Sequence, residues 1–451
     1  MRSRFLALLV ASGAAGCSWS QFDDLERNPP VLLLNKPDKM RSGFGVTMAT
    51  ATVSGKTSLI IGGGSGKSLA SIFDLGNGQS PKADAVDTGS CSQETPCYLA
   101  DHLAGLGKAD VGTSDPKERC FILGIGNADR SADYGLTARC VDRTEYTLPV
   151  PRAVVRTLAE KDIAQDTPEP LVLSTDKDEA PALVAGAPSV QLAWLYKPLS
   201  MRPIQLIPPG EPDSDYGAAV GALRLVAATD AGVSPSLSRI IAVGAPARGH
   251  VWLFSGDDGS PVGCLGGPAR FGRTLSTGDV SGDGVDDLVV ADAANVTVIS
   301  GVALSALGPA TDITCSLAAL PAQAIITSFG CGSRDTVAGC PGGFGTALDV
   351  GDLDGDGDGE VLVGAPDMKV RGTRRAGAVL VYDAEGDHPE LLTDQLFLSS
   401  AKSDDALGGS VVAAHIAGRD VVVAGAPGKG RAAVFFCSAL LGGQAGGSRC
   451  Q

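Results

Sequence analysis

A short motif recurs along this chain of 451 residues and limits its possible folds more than any other feature. Gly186-Ala187-Pro188, Gly244-Ala245-Pro246, Gly364-Ala365-Pro366 and Gly425-Ala426-Pro427 each close a run of aliphatic residues. Degenerate copies stand at Gly62-Gly63-Gly64, Gly124-Ile125-Gly126 and Ala291-Asp292-Ala293. The seven anchors lie 62, 62, 58, 47, 73 and 61 residues apart. A period of this size means one supersecondary unit repeated in space.

A second signal, an aromatic residue or Leu followed by Gly, precedes most anchors. It reads Phe44-Gly45, Leu106-Gly107, Tyr216-Gly217, Phe271-Gly272, Phe344-Gly345 and Leu407-Gly408. The aromatic or Leu stands 18 to 20 residues before the anchor in five units and 28 before it in the Tyr216 unit. The third unit has no clear copy, and its opening (154–183) is degenerate. Between the two signals sits a β-branched run such as Ile240–Val243 or Val361–Val363. After the anchor comes another, such as His250–Ser255 or Ala378–Asp383, ending in turn residues. Short β-rich runs punctuated by Gly, Pro and Asp read as antiparallel strands. No stretch beyond the N-terminus holds a helical period.

A four-stranded unit cannot bury both of its faces alone. Units set radially bury each face against a neighbour and leave only short edges. The expected fold is therefore all-β, a seven-bladed β-propeller built from repeats averaging about 60 residues. A string of independent β-domains is the competing arrangement, and so small a unit is marginal by itself. Val31–Leu34 precedes the first unit and is placed to add a strand to the last blade, closing the ring.

The first 17 residues read as an export signal. Arg2 and Arg4 precede the apolar run Phe5–Ala11, which is too short to span a bilayer. The run leads to Ala14-Ala15-Gly16-Cys17, which resembles a bacterial lipobox and implies a lipid on the Cys17 sulfur. An ordinary secretory signal that removes Cys17 is the alternative. Ser18, rather than Asp, follows the Cys, which by analogy implies the outer membrane. The chain thus divides into a signal (1–17), a tether with the ring-closing strand (18–38) and the propeller (39–451). The expected location is the cell envelope, with the membrane reached through the lipid alone.

Ten further cysteines form an even set, which in an exported chain points to disulfides. Sequence leaves their connectivity open. Neighbour pairing gives Cys91–Cys97, Cys120–Cys140, Cys264–Cys315, Cys331–Cys340 and Cys437–Cys450, each expected to staple a loop within one unit. No Cys-x-x-Cys occurs and there are four histidines, so a zinc site is not expected. A net charge of −15 argues against a nucleic-acid partner, which needs a basic face.

Two acidic loops fall between the aromatic-Gly signal and the anchor. One runs Asp352-Leu353-Asp354-Gly355-Asp356-Gly357-Asp358-Gly359-Glu360, the other Asp279-Val280-Ser281-Gly282-Asp283-Gly284-Val285-Asp286-Asp287. Oxygens at alternate positions converge when such a chain curls, and calcium takes six to eight hard oxygens that mix carboxylates with a backbone carbonyl. The expected ligands are Asp352, Asp354, Asp356 and Glu360 with the Asp358 carbonyl. In the second loop they are Asp279, Ser281, Asp283 and Asp287 with the Val285 carbonyl. The competing reading is an acidic solvated turn. An EF-hand is disfavoured because strands rather than helices flank both loops.

Aromatic-Gly, an acidic loop, a hydrophobic run and Gly-Ala-Pro together resemble the FG-GAP repeat of integrin α-subunit propellers and their bacterial relatives. Phe344-Gly345, Asp352–Glu360 and Gly364-Ala365-Pro366 form one nearly complete copy. Phe271-Gly272 with Asp279–Asp287 forms another, although Ala291-Asp292-Ala293 departs from the closing motif. The resemblance spans about residues 40–440, loosely in the first three units. It implies calcium in the loops of one face as a structural ion, about two in all, and partners on the other face.

Several features invite other readings. Gly62–Ser68 looks like a phosphate-binding loop, but Ile61 stands where that motif needs Gly. No nucleotide is therefore expected. His102, His250, His388 and His415 share no spacing, and no nucleophile elbow or Ser-His-Asp set is identifiable. Trp194 and Trp252 fall in the post-anchor strands of adjacent units and read as blade-packing core. The expected function is a binding or adhesion scaffold for a protein or polysaccharide of the envelope, without catalysis. The alternatives are a propeller-type polysaccharide lyase or hydrolase, with Asp215, Arg270 and Arg273 as channel residues, and a structural subunit of an envelope assembly.

Overall fold

The computed structural model describes residues 31–35, 44–53, 56–62, 70–74, 83–86, 97–109, 117–126, 135–140, 145–148, 172–175, 183–188, 191–197, 203–209, 215–225, 239–307, 315–317, 320, 324–330, 343–383, 391–416 and 419–436. Cys17, the leader around it and the P-loop-like Gly63–Ser68 lie outside the described residues. So do Cys91, Cys331, Cys340, Cys437, Cys450 and His388.

The protein is all-β, in several small antiparallel sheets. Among the described residues the strands form seven four-stranded sheets. The first holds β2 (Thr47–Val53), β3 (Lys56–Gly62), β4 (Ala70–Asp74) and β5 (Ala83–Val86). The second holds β6 (Cys97–Ala109), β7 (Lys117–Gly126), β8 (Gly135–Cys140) and β9 (Glu145–Leu148). The third comprises β10 (Val172–Thr175), β11 (Leu183–Ala187), β12 (Leu192–Tyr196) and β13 (Ile204–Gln205). The fourth comprises β14 (Ala219–Arg224), β15 (Arg239–Ala245), β16 (His250–Ser255) and β17 (Pro261–Gly266). The fifth has β18 (Thr274–Gly278), β19 (Asp287–Ala291), β20 (Asn295–Ile299) and β21 (Ile325–Gly330). The sixth has β22 (Leu348–Gly351), β23 (Glu360–Ala365), β24 (Ala378–Asp383) and β25 (Leu391–Leu396). A single helical turn, α1 (Gly301–Ser305), follows β20 and is capped by the Ser300 hydroxyl.

The seventh sheet breaks the pattern. Its own unit supplies β26 (Val411–Ile416), β27 (Arg419–Ala426) and β28 (Arg431–Phe436). Its fourth strand is β1 (Val31–Asn35), which pairs antiparallel with β28 from Val31 opposite Phe435 to Asn35 opposite Arg431. The first strands of successive sheets lie beside one another, β2 by β6 and so on to β22 by β26, and β26 lies again by β2.

The second strand of each well-described unit is buried along its whole length, as in β15, β19 and β23. Antiparallel strands with one wet face alternate apolar and polar residues; here both faces are covered, so the run is continuously apolar. Alternation survives as a choice of neighbour. Leu288 and Val290 join a core with Ile240, Ala242, Leu253 and Phe271, whereas Val289 and Ala291 join one with Val361, Val363 and Phe344. A comparable core joins Val421, Val423 and Val434 of the seventh sheet to Leu59 and Ile61 of the first, with Leu34 between them. Stacking adds to the core between sheets five and six, where the Phe329 ring lies 4.1 Å from Tyr382.

The recurring motifs are the joints between sheets. Gly345 N–H donates to the Gly364 carbonyl of its own unit at 3.0 Å, and Gly217, Gly272 and Gly408 donate likewise to Gly244, Ala291 and Gly425. The anchor glycine then lies under the next unit. A Cβ placed on Gly364 would strike the Gly408 carbonyl, and one on Gly425 would strike that of Gly45. The departure at Ala291-Asp292-Ala293 has a compensation. Buried Asp292 accepts from Ala294 N and Asn295 N through Oδ1, turning the chain by side-chain hydrogen bonding.

One expectation is corrected here. Leu106-Gly107 does not stand before its first strand as the other copies do; it lies inside the long β6, with Leu106 opposite Cys120 on β7. The third sheet is complete despite its degenerate opening, because β10 pairs with β11.

Candidate metal centre

The two acidic loops join the first and second strands of sheets five and six, at the end of each sheet away from the Gly-Ala-Pro joints. In the 352–360 loop the carboxylates organise their own backbone. Asp352 accepts from Gly355 N (2.6 Å) and Gly357 N (3.2 Å). Asp354 accepts from Asp356 N (3.3 Å), and Asp356 from Asp358 N (3.0 Å). Short acidic side chains favour such local turns. The curl brings one carboxylate oxygen each of Asp352, Asp354 and Asp356 within 4.8 Å of one another.

Glu360 opens β23 from inside the protein. Its side chain is buried and accepts from Leu353 N at 2.7 Å. Burial, aided by the charges of Asp354 and Asp356, pushes its carboxyl up to about 8, against ordinary backbone donation that pulls it down. Asp358 lies across the boundary between sheets. A side chain on Gly282 would run into its carboxylate, and Gly359 sits against the Asp279 carbonyl, so the two loops touch. Burial and then the charges of Asp356 and Asp279 raise Asp358 above the usual carboxylate range.

The second loop is arranged differently. Asp279 accepts from Asp283 N (3.1 Å) and Gly284 N (2.8 Å), and Asp283 from Val285 N (2.9 Å). Asp287, fully buried, receives Val280 N and Ser281 N on Oδ2 and Gly301 N on Oδ1. Burial raises its carboxyl only to about 6, because three backbone donors favour the charged form. No three carboxylates of this loop come together as Asp352, Asp354 and Asp356 do. Ser281 replaces the middle acid, and Asp287, one methylene shorter than Glu360, is held by backbone donors. The Val285 side chain packs into the core between sheets four and five.

The other sequence-singled residues have structural partners. Arg273 donates through Nε to the Asp292 carbonyl at 2.6 Å and through Nη2 to the Phe344 carbonyl, tying sheet five to sheet six. Asp215 and Arg270 occupy left-handed turns just before Tyr216-Gly217 and Phe271-Gly272. Trp194 and Trp252 are buried. His250 packs edge-on against Trp252, and His415 pairs with Asp420 at 2.6 Å. His102 lies on β6.

Cys264 and Cys315 form a disulfide, and this corrects the expected role of the pair. Cys264 lies on β17 of the fourth sheet and Cys315 in the connection between β20 and β21 of the fifth, so the bond ties two units together. His250 lies near both sulfurs, but sulfurs bonded to each other are not thiolate ligands. Cys120 and Cys140 are directly opposite on β7 and β8, while Cys97 on β6 is opposite Gly126.

Sequence reasoning missed a set of carboxylates that clamp neighbouring sheets. Asp286 accepts from Arg224 N at 2.8 Å and lies 3.8 Å from its guanidinium. Asp349 on β22 accepts from Ala413 N on β26 at 2.8 Å. Neither lies at a repeated position of the motif, so periodicity gives no signal for them.

The fold and this loop define a class, an all-β repeat protein with a carboxylate-lined turn in its sixth unit. Residues 344–382, which carry Phe344-Gly345, the acidic loop, Gly364-Ala365-Pro366 and strand β24, match the FG-GAP repeat family, and the chain carries an FG-GAP repeat there. No curated protein matches this sequence.

Proposed function

We propose that the chain is a closed seven-bladed β-propeller, rigidified by calcium in the 352–360 and 279–287 loops, that serves as a binding scaffold and performs no chemistry. The observation that carries this reading is the convergence of Asp352, Asp354 and Asp356 inside the stretch that matches the FG-GAP repeat. Three carboxylates so close repel one another unless a cation lies among them. Hard oxygens in a flexible turn suit calcium better than the softer metals. Asp352, Asp354 and Asp356 would hold the ion, with Glu360 behind them and the Asp358 carbonyl as a further donor. The 279–287 loop is the weaker of two sites, with Asp279, Ser281, Asp283 and the Val285 carbonyl around it and Asp287 bracing the turn.

Closure of the ring is supported by the β1–β28 pairing, by the Ser410 hydroxyl donating to the Gly45 carbonyl at 2.8 Å, and by the core shared between the seventh and first sheets. The proposed location is the cell envelope, with the protein held at the outer membrane by a lipid on Cys17. That part rests on the sequence Ala14-Ala15-Gly16-Cys17.

Thermal unfolding with calcium and with chelator, paired with calorimetric titration, tests the scaffold. A ligand bound only by the native state raises the melting temperature by mass action. The expected result is a melting point that climbs with free calcium and about two bound ions. A melting point indifferent to calcium, with no heat of binding, would leave the loops as acidic turns.

A further inference from the structure

The face opposite the acidic loops carries a feature that the repeat does not require. Between β23 and β24 the sixth unit inserts a small hairpin, residues 366–377, whose tip closes by paired hydrogen bonds between Val370 and Thr373. Arg371 and Gly372 at the tip both have positive φ, 47° and 86°, the geometry of a type I′ turn. Asn, Asp or Gly ordinarily fills the first of those positions. An Arg there is strained.

The strain is not confined to the tip. Arg375, Asp404 and Ala406 also have positive φ, at 49°, 63° and 56°. Ala406 shares its left-handed turn with Asp215 and Arg270, which also precede an aromatic-Gly signal, so it belongs to the repeat; Arg371, Arg375 and Asp404, three of the seven such non-glycine residues in the described chain, are particular to this patch. Strained backbone of this kind clusters at functional sites. The patch is also rigid. Asp404 N, Ala406 N and Leu407 N donate to the carbonyls of Arg374, Arg375 and Ala376, stitching the hairpin to the loop that enters the seventh unit. Arg371 lies over the Phe397 ring at 4.7 Å, and Gly428 N donates to the Asp405 carbonyl, bringing the Lys429 turn alongside.

In a protein of net charge −15 this patch is basic. Lys369, Arg371, Arg374, Lys402 and Lys429 are exposed along it. Asp367 and Asp404 stand among them, 2.7 Å from Arg375 Nε and 3.8 Å from Arg374 Nη2. The two carboxylates leave this net-positive patch mixed in charge, so it is a poorer match to a uniformly anionic surface such as a membrane than an all-basic face would be. A sugar chain would use them, since its hydroxyls donate to Asp while its own acidic groups accept from Arg. Guanidinium forks match planar carboxylates.

We propose that this hairpin patch on sheets six and seven is the docking site for an acidic, carboxylate-bearing polysaccharide. The proposal rests on the scaffold reading above and names its partner class. β1 runs antiparallel to β28, so Val31 lies at the acidic-loop end of its sheet, opposite the patch.

The test uses the full-length chain in detergent with hyaluronate, which carries one carboxylate per disaccharide, as the probe. Neutral dextran, phosphatidylglycerol vesicles and poly-glutamate are the comparisons. The variant Lys369→Gln/Arg371→Gly/Arg374→Gln removes three charges and relieves the tip, so it should fold. We expect hyaluronate binding that weakens as salt rises and falls at least tenfold in the triple variant, with dextran silent. Absence of hyaluronate binding, or binding untouched by the substitutions, would overturn the proposal. Equal or tighter binding to vesicles or to poly-glutamate would overturn the partner class. The calcium-dependent melting point, measured on the same samples, shows separately whether the scaffold reading holds.

Discussion

Glu360 concentrates the chemistry of the acidic loop in one side chain. Its carboxyl is raised from an ordinary 4.5 to about 8 by burial. A raised acid binds its proton more tightly folded than unfolded, so this stabilisation is full below about pH 4.5 and is lost as pH rises through about 8. In chelator the melting point should therefore fall between pH 5 and pH 8. Calcium needs the ionised form, so calcium affinity should rise over the same interval. Glu360→Gln should flatten the chelator trend and weaken calcium binding at that loop at least tenfold, both read by melting curves and calorimetry. A chelator trend unchanged in the variant would place the titrating group elsewhere. The joint glycines make a second residue-level prediction. Gly364 has no special backbone angle, but a Cβ there meets the Gly408 carbonyl, so Gly364→Ala forces two sheets apart. Overpacking of this kind costs about 1–3 kcal/mol, with the rigid backbone placing it at the upper end. Gly355→Ala is the comparison: φ is +81° but nothing lies within 4 Å, so only local strain of about 1 kcal/mol is expected. Urea unfolding in chelator measures both. Equal losses would mean that the joints are looser than their geometry.

At the scale of the element, the strands were legible in the sequence because each is a contiguous run between fixed turn signals. Ile240–Val243 and Val361–Val363 fall inside β15 and β23, and His250–Ser255 is β16 itself. What could not be read lies between elements. Leu106-Gly107 satisfies the motif by composition, yet β6 runs through it, because a local dipeptide does not specify where a strand begins. The first acidic loop is legible as a carboxylate cluster, whereas in the second only the spacing is. Its spacing repeats, but the loss of one acid at Ser281 and the backbone donors on Asp287 change the outcome. The Cys264–Cys315 pairing was reachable by proximity in sequence, but its span between two sheets was not. That span sets its effect. Closing a loop of 51 residues removes unfolded-state entropy worth about 4 kcal/mol on the chain-entropy estimate. Cys264→Ala/Cys315→Ala should therefore lower stability by roughly 2–4 kcal/mol. Hydrogen exchange should quicken in β17 and around residues 315–317. Quickening confined to one of the two sheets would contradict a bond that holds them together.

For the whole molecule the decisive element is β1, which belongs to the start of the chain and completes the sheet at its end. In a string of separate domains, such a strand would matter only to the sheet that holds it. In a ring it also sets the distance between the seventh and first sheets, because Leu34 packs in one core with Phe44, Leu59 and Ile61 of the first unit and Val421, Val423 and Val434 of the last. Leu34→Ala removes a buried side chain from that seam, and a loss of about 2–5 kcal/mol follows from the cavity it leaves. Leu33, 37 % exposed on the same strand, serves as the comparison, and Leu33→Ala should change stability by less than about 0.5 kcal/mol. The magnitudes alone do not separate ring from string, so the spatial pattern of exchange does. Weakening the seam of a ring opens both sides of it, and amides of β2 and β3 should lose protection together with those of β26 to β28. Loss restricted to the seventh sheet, with β2 and β3 as slow as before, would mean that the first and last units are neighbours without being joined, and the closed propeller would have to be given up.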